Sequence, residues 1–360
     1  MQREITQRTP LLDKEGKLTM PGFAKKLLWD YRREDIKAPG FKIKEWDYYY
    51  IICEDFAIAL TIADNSYMGL DSMSFISFKG TPWEITKSPM QFFTFGKKKL
   101  PPSSEAGSVS SSGKGYFISF EHLGDKRHLT FAMDGFMKGD IMLHCPETES
   151  MVIATPFEKA PLAFYYNQKI NCMEAEGEVF LGDVKHTLTR GKAFAGLDWG
   201  RGVWTYKNTW YWGSASGAVD GIPFGFNIGY GFGDTSAATE NMIFYNGKAH
   251  KIGNVTFNIP RQPKTFTTRG GCCGHGGMQF PTHETVDDFM SPWTFTSDDN
   301  RFEMYFEPII DRASKTDFHI LCSDQHQVFG RFTGKAVLDD GTVISIRDFL
   351  GFAEKVFNKW

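Results

Sequence analysis

The sequence has 360 residues, of which 33 are Phe, 13 Tyr and 9 Trp, with 36 Gly, 23% charged residues and a net charge of −3. This many large apolar side chains excludes a disordered chain, and the lack of Ala/Glu/Lys/Leu dominance excludes a helical bundle or coiled coil. The near-neutral balance supplies no strong field for nucleic acid or acidic lipid. Aromatics that pack on pleated faces, with Gly to turn corners, predict an all-β protein.

The first twelve residues, MQREITQRTPLL, hold no apolar stretch of signal-peptide length. Six Cys are too sparse for a disulfide scaffold. A cytoplasmic protein with reduced thiols is expected. Phe23, Leu27 and Tyr31 follow Pro21-Gly22 at helical spacing and predict a short helix. The most apolar run, from Tyr48 to Ala63, is cut by Glu54 and Asp55, so no transmembrane segment is expected. Within it, Phe56, Ile58, Leu60 and Ile62 alternate with Ala57, Ala59, Thr61 and Ala63, which is a strand pattern. Residues 96–115 are basic, then Pro/Ser/Gly-rich, and read as a solvated loop or a lid.

The alternation returns more strongly at 224–233. One face carries Phe224, Phe226, Ile228, Tyr230 and Phe232; the other carries Gly225, Asn227, Gly229, Gly231 and Gly233. A strand with one nearly bare face lets a ligand or another backbone come close. Near the end, Phe349, Phe352, Val356 and Trp360 predict a short amphipathic helix.

Features recur along the chain. Trp46-Asp47-Tyr48 and Trp210-Tyr211-Trp212 lie 164 residues apart, each at the head of a small/large alternating region. Gly177-x-x-x-Leu181-x-Asp183 is followed 157 residues later by Gly334-x-x-x-Leu338-x-Asp340. Gly196-x-Asp198 falls near Gly351-x-x-Glu354, and Trp204 near Trp360. A duplication into two β domains, 1–204 and 205–360, accounts for this order; chance recurrence of common residues is the alternative. About eight strands per half suit a barrel with room for one small ligand.

The densest chemical signal is Asp198-Trp199-Gly200-Arg201-Gly202-Val203-Trp204. A carboxyl desolvated among indoles gains proton affinity and becomes a donor, and the rings stabilise a developing cation. Arg201 would orient the ligand; alternatively Asp198 and Arg201 form a structural bridge between the domains. Glu240 and Asn241 either line a pocket or begin a surface strand. Asn227 either orients a ligand or is satisfied beneath a crossing strand. Trp46, Tyr48, Trp204, Trp210 and Trp212 are candidate pocket walls or core, with Asp47 on the opposite face.

The run Cys272-Cys273-Gly274-His275 lacks zinc-ligand spacing and reads as a flexible loop. His283-Glu284 is not completed to a metalloprotease motif, since Asp287 stands where the second His belongs. No metal site, nucleotide cofactor or other cofactor is expected.

Several segments carry a family resemblance: TPLLDKEGKL, KEWDYYY, ATPF with FYYNQKIN, LDWGRGVWTY, TENMIFYNGK, HQVFGRFTGKAVLDDG and GFAEKVFNKW. They resemble the bacterial Domain of Unknown Function family 2804 over nearly the whole chain. That family is similar to lipocalin-like double-barrel proteins, among them carotenoid hydratases and tocopherol cyclase. The resemblance implies two lipocalin-like antiparallel barrels and an apolar, often isoprenoid, ligand. In those relatives an Asp-x-x-Trp-Gly element precedes Trp-x-Trp. Here Asp198-Trp199-Gly200 precedes Trp210-Tyr211-Trp212, without the two-residue spacer.

The sequence thus predicts a cofactor-independent, acid-catalysed enzyme of hydratase, cyclase or isomerase type at the domain junction. Its partner is a small, largely apolar molecule. A lipid or isoprenoid carrier and a carbohydrate-active protein using Asp198 and Glu240 are the alternatives.

Overall fold

The structure, a computed structural model, describes residues 2–269, 279–317 and 321–359. The described residues are nearly all β, with 3-10 turns at Arg33–Asp35 and Gly40–Lys42. Among them no helix is long and apolar enough to cross a membrane.

Two antiparallel sheets each curl around their own core, as in lipocalin-like barrels. The first runs, in hydrogen-bonded order, through Trp83–Lys87, Met68–Ser77, Phe56–Asp64, Ile43–Ile52, Phe194–Val203, Ala160–Leu181, Met137–His144, Lys126–Met133, Tyr116–His122 and Ser108–Gly113. The second runs through Lys248–Lys251, Met242–Tyr245, Ile222–Tyr230, Lys207–Val219, Val343–Lys359, Cys322–Val337, Phe302–Asp317, Trp293–Ser297 and Val255–Asn258.

The side-chain period of two explains the cores. In the first barrel Ile58, Leu60, Leu197, Trp199 and Tyr166 point inward. In the second, Phe224, Phe226, Ile228, Ala215 and Ala353 do so. The opposite faces of the same strands meet between the barrels in two further apolar clusters. One gathers Tyr165, Phe232, Met242 and Phe244 around Trp46, Trp204 and Trp210. The other gathers Tyr50, Ala57, Trp212, Phe329 and Phe352. The wall strands are therefore buried on both faces.

Neither expected helix forms; the first is two short strands, Gly22–Ala24 and Trp29–Asp30, with the chain turning between them, and the second is one long strand. Gly22–Ala24 pairs with Val152–Ala154, and Val343–Lys359 runs between Lys207–Val219 and Cys322–Val337. The helical spacing of Phe349, Phe352 and Val356 arises because the two faces of this strand are both apolar: Phe349 joins the second barrel's core and Phe352 the inter-barrel cluster. Trp360 lies outside the described residues, as does the loop Cys272-Cys273-His275.

The segment 96–115 is not a free loop. Ser108–Gly113 pairs with Tyr116–Glu121, and Lys98, Leu100 and Ser104 are buried. It closes a seam between sheet ends: Ser111 Oγ donates to Asp71 Oδ2 at 2.7 Å, and Lys98 Nζ lies 2.6 Å from Asp71 Oδ1.

A polar cluster between the barrels as candidate active site

Three adjacent strands of each barrel build the junction. In Phe194–Val203 the face toward the second barrel reads Gly196, Asp198, Gly200, Gly202. Because the glycines lack side chains, rings of the paired strand lie over them: a methyl group on Gly200 would overlap the Trp46 indole, and one on Gly196 the Tyr50 ring. Asp198 is the side chain that projects between these rings, opposite Tyr48 on one side and Lys169 on the other.

Asp198 Oδ1 lies 2.9 Å from Lys169 Nζ and accepts a 2.6 Å hydrogen bond from Asn167 Nδ2. The Lys169 ammonium also sits over the Trp212 ring, 3.8 Å from its centroid. Trp212 Nε1 donates to Asn227 Oδ1 at 2.7 Å, and Asn227 Nδ2 donates to the Glu240 carbonyl at 2.8 Å. The bare face of Ile222–Tyr230 does admit close neighbours. A methyl group on Gly229 would stand 2.7 Å from Glu240 Oε1, and one on Gly225 would stand 2.7 Å from Cys172 Sγ.

A third carboxyl completes the cluster. Glu354 accepts 3.0 Å hydrogen bonds from Trp210 Nε1 and Gln327 Nε2. Gln327 Oε1 in turn accepts from Arg312, whose other nitrogen reaches Ser74 Oγ of the first barrel at 2.8 Å. Burial raises the proton affinity of Glu354, outweighing the Trp210 hydrogen bond and the Lys169 charge, and Asp198 adds to the rise; the carboxyl is pushed from 4.5 up to about 7. Burial likewise raises Glu240, against the opposing charge of Lys169. Three carboxyls thus share the field of one buried ammonium.

The two barrels contribute matching triplets. Lys169, Asp198 and Tyr48 lie opposite one another across three strands of the first barrel; Gln327, Glu354 and Trp212 do so in the second. Trp46 opposite Gly200 corresponds in the same way to Trp210 opposite Val356.

On one flank of the cluster five rings pack edge to face or stacked: Trp46, Tyr165, Trp204, Trp210 and Phe232. A cleft of about 600 Å³ opens beside them, lined in part by Thr205, Lys207, Asn208, Thr209, Gly231 and Gly233, the chain neighbours of Trp204, Trp210 and Phe232. A smaller cavity, about 250 Å³, is bordered by Cys145, Cys172 and Phe244.

The residues predicted from sequence fall into two sets. Asp198, Glu240, Asn227, Tyr48, Trp46, Trp204, Trp210 and Trp212 come together at the junction. Arg201 does not: three residues from Asp198 on a strand, it points into the first barrel. There it pairs with Asp47 at 3.0 Å and donates to the Trp46, Gly200 and Pro101 carbonyls. Asn241 ties backbone, accepting from Gly229 N and donating to the Gly253 carbonyl.

Lys169, Asn167, Gln327 and Arg312 were not foreseen, and Glu354 was noted only as a repeat counterpart of Asp198. The signal for Lys169 was present in FYYNQKIN, where Asn167, Lys169 and Asn171 share one strand face. Among the described residues, no three His, Cys, Asp or Glu side chains are placed to hold a metal ion.

No curated protein matches the sequence. The fold is similar to that of a "putative AttH" from Nitrosomonas europaea, with a TM-score of 0.50 and 11% identity, over 90% of this chain and 96% of that one. It is also similar to kievitone hydratase from Nectria haematococca, with a TM-score of 0.48 and 10% identity, over 88% of each chain. CghA with Sch210972 aligns with a TM-score of 0.46 and 12% identity, again over 88% of each chain. At such identities the likeness is one of fold. The model of the family described as Domain of unknown function (DUF2804) matches residues 2–360, so the chain belongs to the family that its motifs resemble.

Proposed function

We propose that this protein is a cofactor-independent acid–base enzyme acting on a small, largely apolar molecule held between its two barrels. Glu354, a buried carboxyl held at about 7, stands with Asp198 and Glu240 around Lys169, next to a wall of aromatic rings. A carboxylic acid with its pKa near the working pH both gives and recovers a proton.

In this reading Glu354 is the proton donor, with Glu240 as second acid or base. Asp198, held by Lys169 and Asn167, supplies negative charge, and the indoles of Trp46, Trp204 and Trp210 favour a developing cation. Protonation of an alkene or enol, followed by capture of water, ring closure or loss of a different proton, gives hydration, cyclisation or isomerisation. Ligand entry from the cleft passes Trp204, Trp210 and Phe232, whose rings must part.

The matching triplets support a duplication into domains 1–204 and 205–360, with Asp198 and Glu354 as counterparts. Sequence pointed to Asp198 as donor; because Lys169 and Asn167 engage the Asp198 carboxylate directly, the donor's role is given to its counterpart in the second barrel, Glu354. Turnover of the apolar ligand retained on purification tests this. Glu354→Gln is expected to lower kcat by at least a hundredfold, and Asp198→Asn to lower it less. Undiminished turnover in Glu354→Gln removes the acid role, and ligand retained unchanged by the wild type makes the protein a carrier.

A further inference from the structure

At one end of the first barrel the chain exposes a group of large apolar side chains. Met90 is 57% exposed, Phe92 68%, Phe93 65%, Phe95 47% and Phe41 53%. Monomeric proteins rarely leave such a contiguous patch open without a use. The patch is also rigidly built. Phe93, Phe95 and Lys99 all adopt left-handed backbone angles, with φ of 58°, 44° and 53°, a conformation that side-chain-bearing residues hold only when their surroundings enforce it.

The enforcing contacts are buried and polar. The Asp64 carboxylate accepts from Ser66 N at 2.9 Å, Thr94 Oγ1 at 2.8 Å and Gly96 N at 2.8 Å. Phe93 N and Phe95 N donate to the Tyr67 and Ser66 carbonyls, each at 2.9 Å. Lys98 turns inward to Asp71 and Ser111. Phe93 and Phe95 stack outside with their planes 7° apart. Buried charge is thus committed to holding phenyl rings in solvent.

The exposed charges on the two segments that carry these rings have one sign. Residues 90–99 and the pair Phe41-Lys42 contain no Asp or Glu, while Lys42, Lys97 and Lys99 are exposed. Arg33, beside Gly96, pairs with Glu45. The whole chain is net negative, so composition conceals a local basic tip. Exposed phenyl rings with lysines on the same segments fit the interface of an anionic bilayer. There rings enter the acyl boundary and ammonium groups meet headgroup phosphates.

We infer that Phe92, Phe93, Phe95, Lys97 and Lys99 form a membrane-docking tip for anionic lipid surfaces. The Trp204 amide donates to the Lys42 carbonyl at 3.2 Å, so the tip shares an end of the barrel with the aromatic rings beside the cleft. A docked bilayer would face that end. The docking does not depend on the acid chemistry proposed above.

Co-sedimentation of the full chain with phosphatidylcholine vesicles, with and without phosphatidylserine at about one third of the lipid, tests the inference. The wild type is expected to partition at least tenfold more strongly onto the anionic vesicles, and less so in high salt. Lys97→Gln/Lys99→Gln is expected to lose roughly 30-fold, from ~1 kcal/mol per basic residue near an anionic surface. Phe92→Ser/Phe93→Asn is expected to lose binding to both vesicles. All four side chains are exposed, and Asn tolerates the left-handed angle at 93, so thermal unfolding should be unchanged. Failure of the wild type to bind either vesicle, or binding by both variants equal to that of the wild type, overturns the inference and leaves the tip to a protein partner.

Discussion

Replacing Glu354 by Gln should change how stability depends on pH. In the folded protein this carboxyl titrates at about 7, against an ordinary 4.5, because burial disfavours its charged form. Between those two values the folded state keeps a proton that the unfolded chain has released. Stability from this group is therefore full below pH 4.5, declines as pH rises, and is lost above 7. At about 1.4 kcal/mol per pH unit the decline amounts to about 3 kcal/mol. Gln carries no proton to lose, so the variant lacks the decline. Its hydrogen bonds differ, since Gln327 Nε2 donates to Glu354 Oε2, but that offset is independent of pH. Urea unfolding of both proteins at pH 4.5 and pH 8 should show the variant gaining about 3 kcal/mol relative to wild type as pH rises. A difference that stays flat across that interval refutes a buried, protonated Glu354.

Lys169→Met strips the cation from Asp198 and should cost about 3–5 kcal/mol in urea unfolding, the penalty of a buried charge left unpaired. Adding Asp198→Asn should recover most of that loss, whereas strictly additive losses would show that the 2.9 Å pair is not coupled. Arg201→Met should be comparably destabilising, by about 3–5 kcal/mol, because it abandons Asp47 inside the first barrel. Ligand affinity of the folded fraction should not change, and a selective loss of affinity at unchanged stability would return Arg201 to the site.

The two small/large alternations were legible because each such strand sets bulky side chains into a barrel core and keeps its other face nearly bare. The C-terminal strand was not legible, because Phe349 and Phe352 are buried on opposite faces and Asp348, with φ of 51°, interrupts the alternation. That misreading also hid Glu354, which was seen only as a repeat counterpart of Asp198. Lys169 was hidden for a different reason: a lysine on a strand ordinarily marks the solvent face, and here that face is a second barrel. Arg201 could have been placed from sequence, since an odd separation from Asp198 along a strand puts the two on opposite sides. The basic tip at 90–99 was masked by the net charge of the whole chain.

The proposed reaction is proton transfer to an apolar ligand between the barrels. Its most direct test is the mass of the ligand that the protein retains on purification, measured by native mass spectrometry after incubation in D₂O. Reversible protonation of an alkene or enol by a solvent-exchanged Glu354 should add at least one carbon-bound deuterium with the wild type and none with Glu354→Gln. A ligand bound by both proteins that returns from both with its mass unchanged rules out that transfer.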